Sequence, residues 1–205
     1  NVTLADETQV IGREAFRGCK KLQSISIPEG IRDIGFGAFA DCVVLSEVNL
    51  SQSMGCTIGE YAFFNCPSIS SVSFSSQYEF AIGKGAFALV EGNGANAVLT
   101  SFTFPTLIKQ YVSASDATTY YTLYDCKGSG YPSRLGDYIL ANRDNLEFIT
   151  MPINFGSSSV ERVPMNTFHN CPDLVTVSFA QDNNREVVFD ENLRKRTIDI
   201  IKEMQ

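Results

Sequence analysis

A unit of 23 or 24 residues recurs through this 205-residue chain, and it constrains the fold more than any other feature. Gly12, Gly35, Gly59 and Gly83 each follow an Ile, and Phe16, Phe39, Phe63 and Phe87 each stand four residues further on. Cys19, Cys42 and Cys66 stand seven residues after the first three of these glycines. Three apolar positions follow each Cys: Leu22, Ile25 and Ile27; Leu45, Val48 and Leu50; Ile69, Val72 and Phe74. Self-similarity at a fixed period defines a solenoid, in which each unit buries its apolar side against its neighbours.

Within a unit, the L-x-x-I-x-I segment is short, apolar and bounded by turn residues, which predicts a strand. Period-2 alternation puts Ile25 and Ile27 on one side of it and Ser26 on the other. The A-F-x-x-C stretch is too short for a long helix and is expected to form a single helical or 3-10 turn that drops Phe and Cys into the core. Glycine after Ile serves either a positive φ or a close backbone approach at the corner. Pro28, Pro105 and Pro152 close strands where no further ladder donor is needed.

Later units depart from the pattern in interpretable ways. In the fourth, Gly83 and Phe87 are in place but the strand residues Leu99, Phe102 and Phe104 come six residues late, so residues 88–97 read as a loop insertion. Asn96 stands there in the place of Cys and is expected at a buried corner. The fifth unit keeps Gly136, Leu140, Leu146, Ile149, Met151 and Pro152, with Arg143 in the Cys place. The sixth has Pro164 for Gly, then Phe168, Cys171, Leu174, Val177 and Phe179. Val2 and Leu4 read as the tail of a strand from an earlier unit, which suggests that the chain begins inside a longer protein.

The segments IGREAFRGCKKLQSISIP, IGFGAFADCVVLSEVNL and IGEYAFFNCPSISSVSF together resemble the leucine-rich repeats of the BspA-like, or Treponema pallidum-type, family. The resemblance covers roughly three quarters of the chain, with seven template positions recurring in register. It implies an α/β solenoid: a right-handed leucine-rich-repeat superhelix with one parallel sheet of about seven strands and short helical or 3-10 turns on the other face. It also implies a bacterial surface or secreted protein, an adhesin-like interaction module rather than an enzyme. The family motif contains no catalytic residues, so none are assigned, and no cofactor is expected. About six units make up a solenoid over residues 1–184, interrupted by an insertion at 106–134, and residues 185–205 form a strand-helix cap. In that cap Val187, Val188 and Phe189 read as a strand, and Leu193, Thr197, Ile200, Ile201 and Met204 as the apolar stripe of a helix covering the solenoid end.

A net charge of −7 argues against nucleic acid as a partner, because a phosphate backbone needs a basic face. No apolar run reaches the roughly 18 residues of a membrane span, and none reads as a signal peptide, which is expected either to have been removed or to lie outside this sequence. Cys19, Cys42, Cys66 and Cys171 are repeat positions and read as a column of buried thiols. Cys56 and Cys126 fall outside the template. Without a C-x-x-C pair, no metal site is expected.

The insertion carries the functional signal. Six of the eight tyrosines lie between residues 111 and 138, and tyrosine offers rigid contact area with a polar tip. The outward strand positions are mostly small and polar, and Phe148 is the one aromatic among them. Phe148, Tyr120, Tyr121, Tyr124, Thr150 and Thr103 are therefore the candidate binding residues. His169, the only histidine, is expected exposed at a corner. Two functions fit: an extracellular or cell-surface module binding a protein, such as a host surface or matrix component, and a carbohydrate-binding or carbohydrate-active surface protein. The second would use the insertion tyrosines with Asp116 and Asp125.

Overall fold

The computed structural model describes residues 2–108, 138–152, 167–179 and 187–188. Its strands in chain order are β1 (Val2–Thr3), β2 (Val10–Ile11), β3 (Ile25–Ser26), β4 (Asp33–Ile34), β5 (Glu47–Leu50), β6 (Thr57–Ile58) and β7 (Ser71–Phe74). They continue with β8 (Glu79–Ile82), β9 (Ser101–Thr103), β10 (Leu107–Ile108), β11 (Phe148–Met151), β12 (Thr176–Phe179) and β13 (Val187–Val188). The L-x-x-I-x-I segments stack in parallel as expected. Val2 lies beside Ile25, Val48 beside Val72, and Ile149 between Phe102 and Val177. The row is not continuous, for its ladder is interrupted between β3 and β5 and again between β7 and β9. Val187 and Val188 do form a strand, which pairs antiparallel with β12. The rest of the expected cap lies outside the described residues.

A second parallel sheet, not expected from the sequence, is built from the residues that end at the Ile of each Ile-Gly, with Leu107–Ile108 as a further strand. Its five strands run in the order β10-β8-β6-β4-β2. Four of the five have only two residues, too few to carry a periodic signal in the sequence. They exist because each coil presents its backbone to the next at the same height.

The A-F-x-x-C corners are hydrogen-bonded turns rather than helical ones, and among the described residues the only helical segment is the 3-10 turn Gly94–Asn96. Alternate residues split their donors. The N–H groups of Ala15, Arg17 and Cys19 bond within the turn, to Gly12, Glu14 and Phe16. Those of Glu14, Phe16 and Gly18 reach across to the carbonyls of Phe36, Ala38 and Ala40 in the next coil. A helix would keep all of these donors inside its own segment, so the corner gives up helicity to join the stack. The conformation requires a left-handed residue two positions after the Ile-Gly. Glu14, Gly37, Tyr61, Gly85 and Tyr138 all have φ between 54° and 60° there.

The Ile-Gly glycine serves a different need. A Cβ on Gly59 would sit 2.8 Å from backbone atoms of Ile34, Gly35 and Phe36, and real Cβ atoms do not approach that closely. Of the two roles the sequence allowed for this glycine, the close backbone approach is the one found at Gly35, Gly59 and Gly83, whereas a Cβ on Gly12 would meet nothing within 4 Å.

Phe16, Phe39, Phe63 and Phe87 stack face to face, with centroids 5.1–5.2 Å apart and interplanar angles of 3–7°. Phe168, the Phe of the sixth unit, does not extend this column. Leu140 occupies the fifth level, fully buried, and ends the aromatic stack; Phe168 packs against the core edge, half-buried. Cys42, Cys66 and Cys171 are buried, and each donates its thiol to the carbonyl of the residue in the Phe position of the preceding coil: Phe16, Phe39 and Leu140. Cys19, expected to be buried with them, is exposed. Asn96 is exposed as well and does not fill the Cys place of the fourth unit. Arg143, in the Cys place of the fifth unit, has a completely buried side chain. Its Nε donates to the Phe87 carbonyl at 2.7 Å, and Nη2 reaches the Cys66 carbonyl at 3.4 Å.

Candidate functional site

Parity decides which residues β9, β11 and β12 show to solvent. Phe102, Ile149 and Val177 turn into the core, so their neighbours must point out. Phe148 stands between Ser101 and Thr176 in register, and Thr150 stands between Thr103 and Ser178. Small neighbours on both sides leave Phe148 uncovered, and it remains 48% exposed. Three of the expected contact residues, Phe148, Thr150 and Thr103, therefore lie on one face of adjacent strands. Tyr120, Tyr121 and Tyr124 lie outside the described residues, as do Asp116 and Asp125.

The hydroxyls of this face are not all available to a partner. Thr150 Oγ1 and Ser178 Oγ are 3.2 Å apart, and Ser178 also donates to the Ile149 carbonyl. Ser46 and Ser70 donate to the carbonyls of Gln23 and Ser46, one coil back. These groups lace neighbouring coils together, a structural use of serine that the strand pattern alone did not reveal. The only charged residues among the outward positions are two acids, Glu47 and Glu147.

Ile108 lies in the second sheet and Tyr138 in a corner. Tyr138 lies under the Lys84 ammonium at 5.7 Å and edge-on to His169 at 5.8 Å. His169 is exposed, as its corner position predicts. A row of half-buried rings continues along the corners: Arg13 covers Phe36 at 4.3 Å, and Phe36 meets Tyr61 edge-on at 5.8 Å. These rings shield the turn backbone, with Tyr61 lying over Gly85, where a Cβ would meet the ring at 2.6 Å.

Among the described residues no three His, Cys, Asp or Glu side chains are grouped to hold a metal ion, and no helix is long and apolar enough to cross a membrane. Burial holds the Cys42 thiol up at about 11 and those of Cys66 and Cys171 at about 12. All three are therefore protonated at neutral pH, the wrong state for a nucleophile.

The two sheets, the stacked corners and the repeating Phe and Cys columns match a known repeat. Six copies of the BspA-type leucine-rich repeat cover residues 1–115 and 133–200, and the chain belongs to that family. The gap between the matched stretches, residues 116–132, falls inside the tyrosine-rich insertion. A leucine-rich repeat protein of T. pallidum has a similar structure, with 19% identity and a TM-score of 0.60 over 98% of this chain and 82% of its own. A leucine-rich cell surface protein of Faecalibacterium prausnitzii is similar over 78% of this chain, with 24% identity and a TM-score of 0.50. The present chain spans 33% of that protein. None of the curated proteins compared with the chain matches it.

Proposed function

We propose that the chain is a non-enzymatic interaction module at the cell surface, binding a protein through the outward face of β9, β11 and β12. The observation that carries this reading is Phe148, an aromatic ring left 48% exposed on a sheet face of small polar side chains. Exposed aromatics surrounded by small polar groups are the usual energetic centres of protein interfaces. Family membership supports a binding role, and the similar F. prausnitzii protein is described as a cell surface protein. The partner in this reading is a host surface or matrix protein, met by Phe148 together with Tyr120, Tyr121 and Tyr124 of the insertion, while Thr103 and Thr150 form the polar rim.

The test is a pull-down against matrix proteins, followed by affinity measurement on a Phe148→Ala, Tyr121→Ala double variant. Each truncation is expected to cost about 2 kcal/mol of binding, with the melting transition unchanged. Because the face is nearly uncharged, affinity should vary little with ionic strength. A double variant that folds and binds like the parent would remove this face from consideration.

A further inference from the structure

A second feature of the same sheet face is independent of Phe148. Beside the break in the ladder between β3 and β5, where the Ser46 N–H still donates to the Gln23 carbonyl, lies a hollow of about 330 Å³ lined by Ser24, Ser26, Ile27, Glu47, Asn49 and Gln52. This volume lies at the lower end of the range for small-ligand clefts, about 300–1,000 Å³. From β5 to β11 is three strand spacings, on the order of 15 Å, so a ligand in the hollow would not touch Phe148.

The hydrogen-bonding character of the hollow is fixed by Asn49. Its Oδ1 already accepts from the Ser51 N–H at 3.0 Å, the Ser51 hydroxyl at 2.8 Å and the Ser73 hydroxyl at 3.1 Å. That anchors the amide and leaves Nδ2 as its working group, a donor only. Glu47 is two residues away on the same strand and so on the same face. It is exposed and makes no ion pair among the described residues, so it is an acceptor only when ionised. An anchored donor with an acceptor beside it suits a group that both accepts and donates. An ammonium or guanidinium would leave the amide donor unmatched, and a carboxylate or phosphate would be repelled by Glu47. A hydroxyl satisfies both, and adjacent hydroxyls on a ring satisfy them together. Gln52 and Ser26 add exposed polar groups at the rim, and half-buried Ile27 offers an apolar surface to the ring carbons.

From this pairing we infer that the hollow between β3 and β5 is a binding site for a neutral carbohydrate, held through vicinal hydroxyls by Glu47 and the Asn49 amide.

The test uses the full chain with glucose, galactose, mannose, N-acetylglucosamine and their β-linked disaccharides as probes. Saturation-transfer NMR detects binding, titration gives affinity, and backbone amide shifts locate the site. Asn49→Asp removes the donor but keeps the acceptor for Ser51 and Ser73, so the local turn is retained; Glu47→Gln removes the charge at constant size. The expected result is binding of at least one probe, with shifts at Ser26 and from Glu47 to Gln52. Affinity should fall about tenfold in each variant, from the lost amide donor in Asn49→Asp and the lost charge on the acceptor in Glu47→Gln, and stay unchanged in Phe148→Ala. The inference is overturned if no probe transfers saturation to the parent, if both variants bind like the parent, or if binding is lost only in Phe148→Ala. The protein-binding face can fail or survive without regard to these outcomes, since its own test moves with Phe148.

Discussion

Arg143 donates from Nε to the carbonyl of Phe87 at 2.7 Å, the contact that Cys66 makes through its thiol to Phe39 at 3.1 Å. One coil has thus replaced a small buried donor with a long charged one, whose second reach, to the Cys66 carbonyl, bridges the coil that lacks a Cys. Burial lowers the Arg143 pKa to about 10, and the side chain is still charged at neutral pH. Arg143→Ala should cost about 2–5 kcal/mol in urea unfolding, from the cavity and the carbonyls left unpaired. Arg143→Cys restores the repeat residue but cannot reach Cys66, so it should also destabilise. An Arg143→Cys protein at least as stable as the parent would show that the guanidinium only fills space.

The aromatic stack gives the next expectation. Phe39 is completely buried between Phe16 and Phe63. Phe39→Ala should lose about 3–5 kcal/mol, and Phe16→Ala less, because Phe16 is only half-buried. Chemical denaturation of the two variants side by side checks the order.

Thiol accessibility divides the cysteines sharply. Cys19 should react with a thiol reagent in native buffer, whereas Cys42, Cys56, Cys66 and Cys171 should react only as the protein unfolds. Mass-spectrometric mapping of early labelling decides it; rapid modification of Cys66 would mean that the core opens more readily than its packing implies.

Stability should also fall in alkali. The folded pKa values of Cys42, Cys66 and Cys171 lie above the ordinary thiol value of 9.0, chiefly because burial penalises the thiolate. In that window the unfolded chain has lost protons that the native one keeps. The contribution is therefore complete below pH 9 and is lost as pH rises towards 11 for Cys42 and 12 for the other two. Each thiol adds a slope of about 1.4 kcal/mol per pH unit between its two pKa values. Arg143 acts in the opposite sense above about pH 10, since its folded pKa is lowered from 12.5. Urea unfolding at stepped pH should show stability declining from pH 9, with a shallower slope in Cys171→Ala.

The sequence by itself determined the repeat, the parallel row of L-x-x-I-x-I strands, the inward Phe positions and the family. Each of these follows from side chains recurring at a fixed spacing, which is the information a chain carries openly. The outward position of Phe148 was legible for the same reason, since strand parity is a property of sequence. What lies between coils was not. The second sheet, the alternate hydrogen bonds of the corners and the hollow beside Asn49 all depend on which backbone meets which across 23 or more residues. The burial of Arg143 and the exposure of Cys19 show this most clearly. Both stand in the same repeat position, yet one has coils on either side and the other lies at the first described corner. Burial is set by what stacks on a residue, and only the tertiary structure decides that.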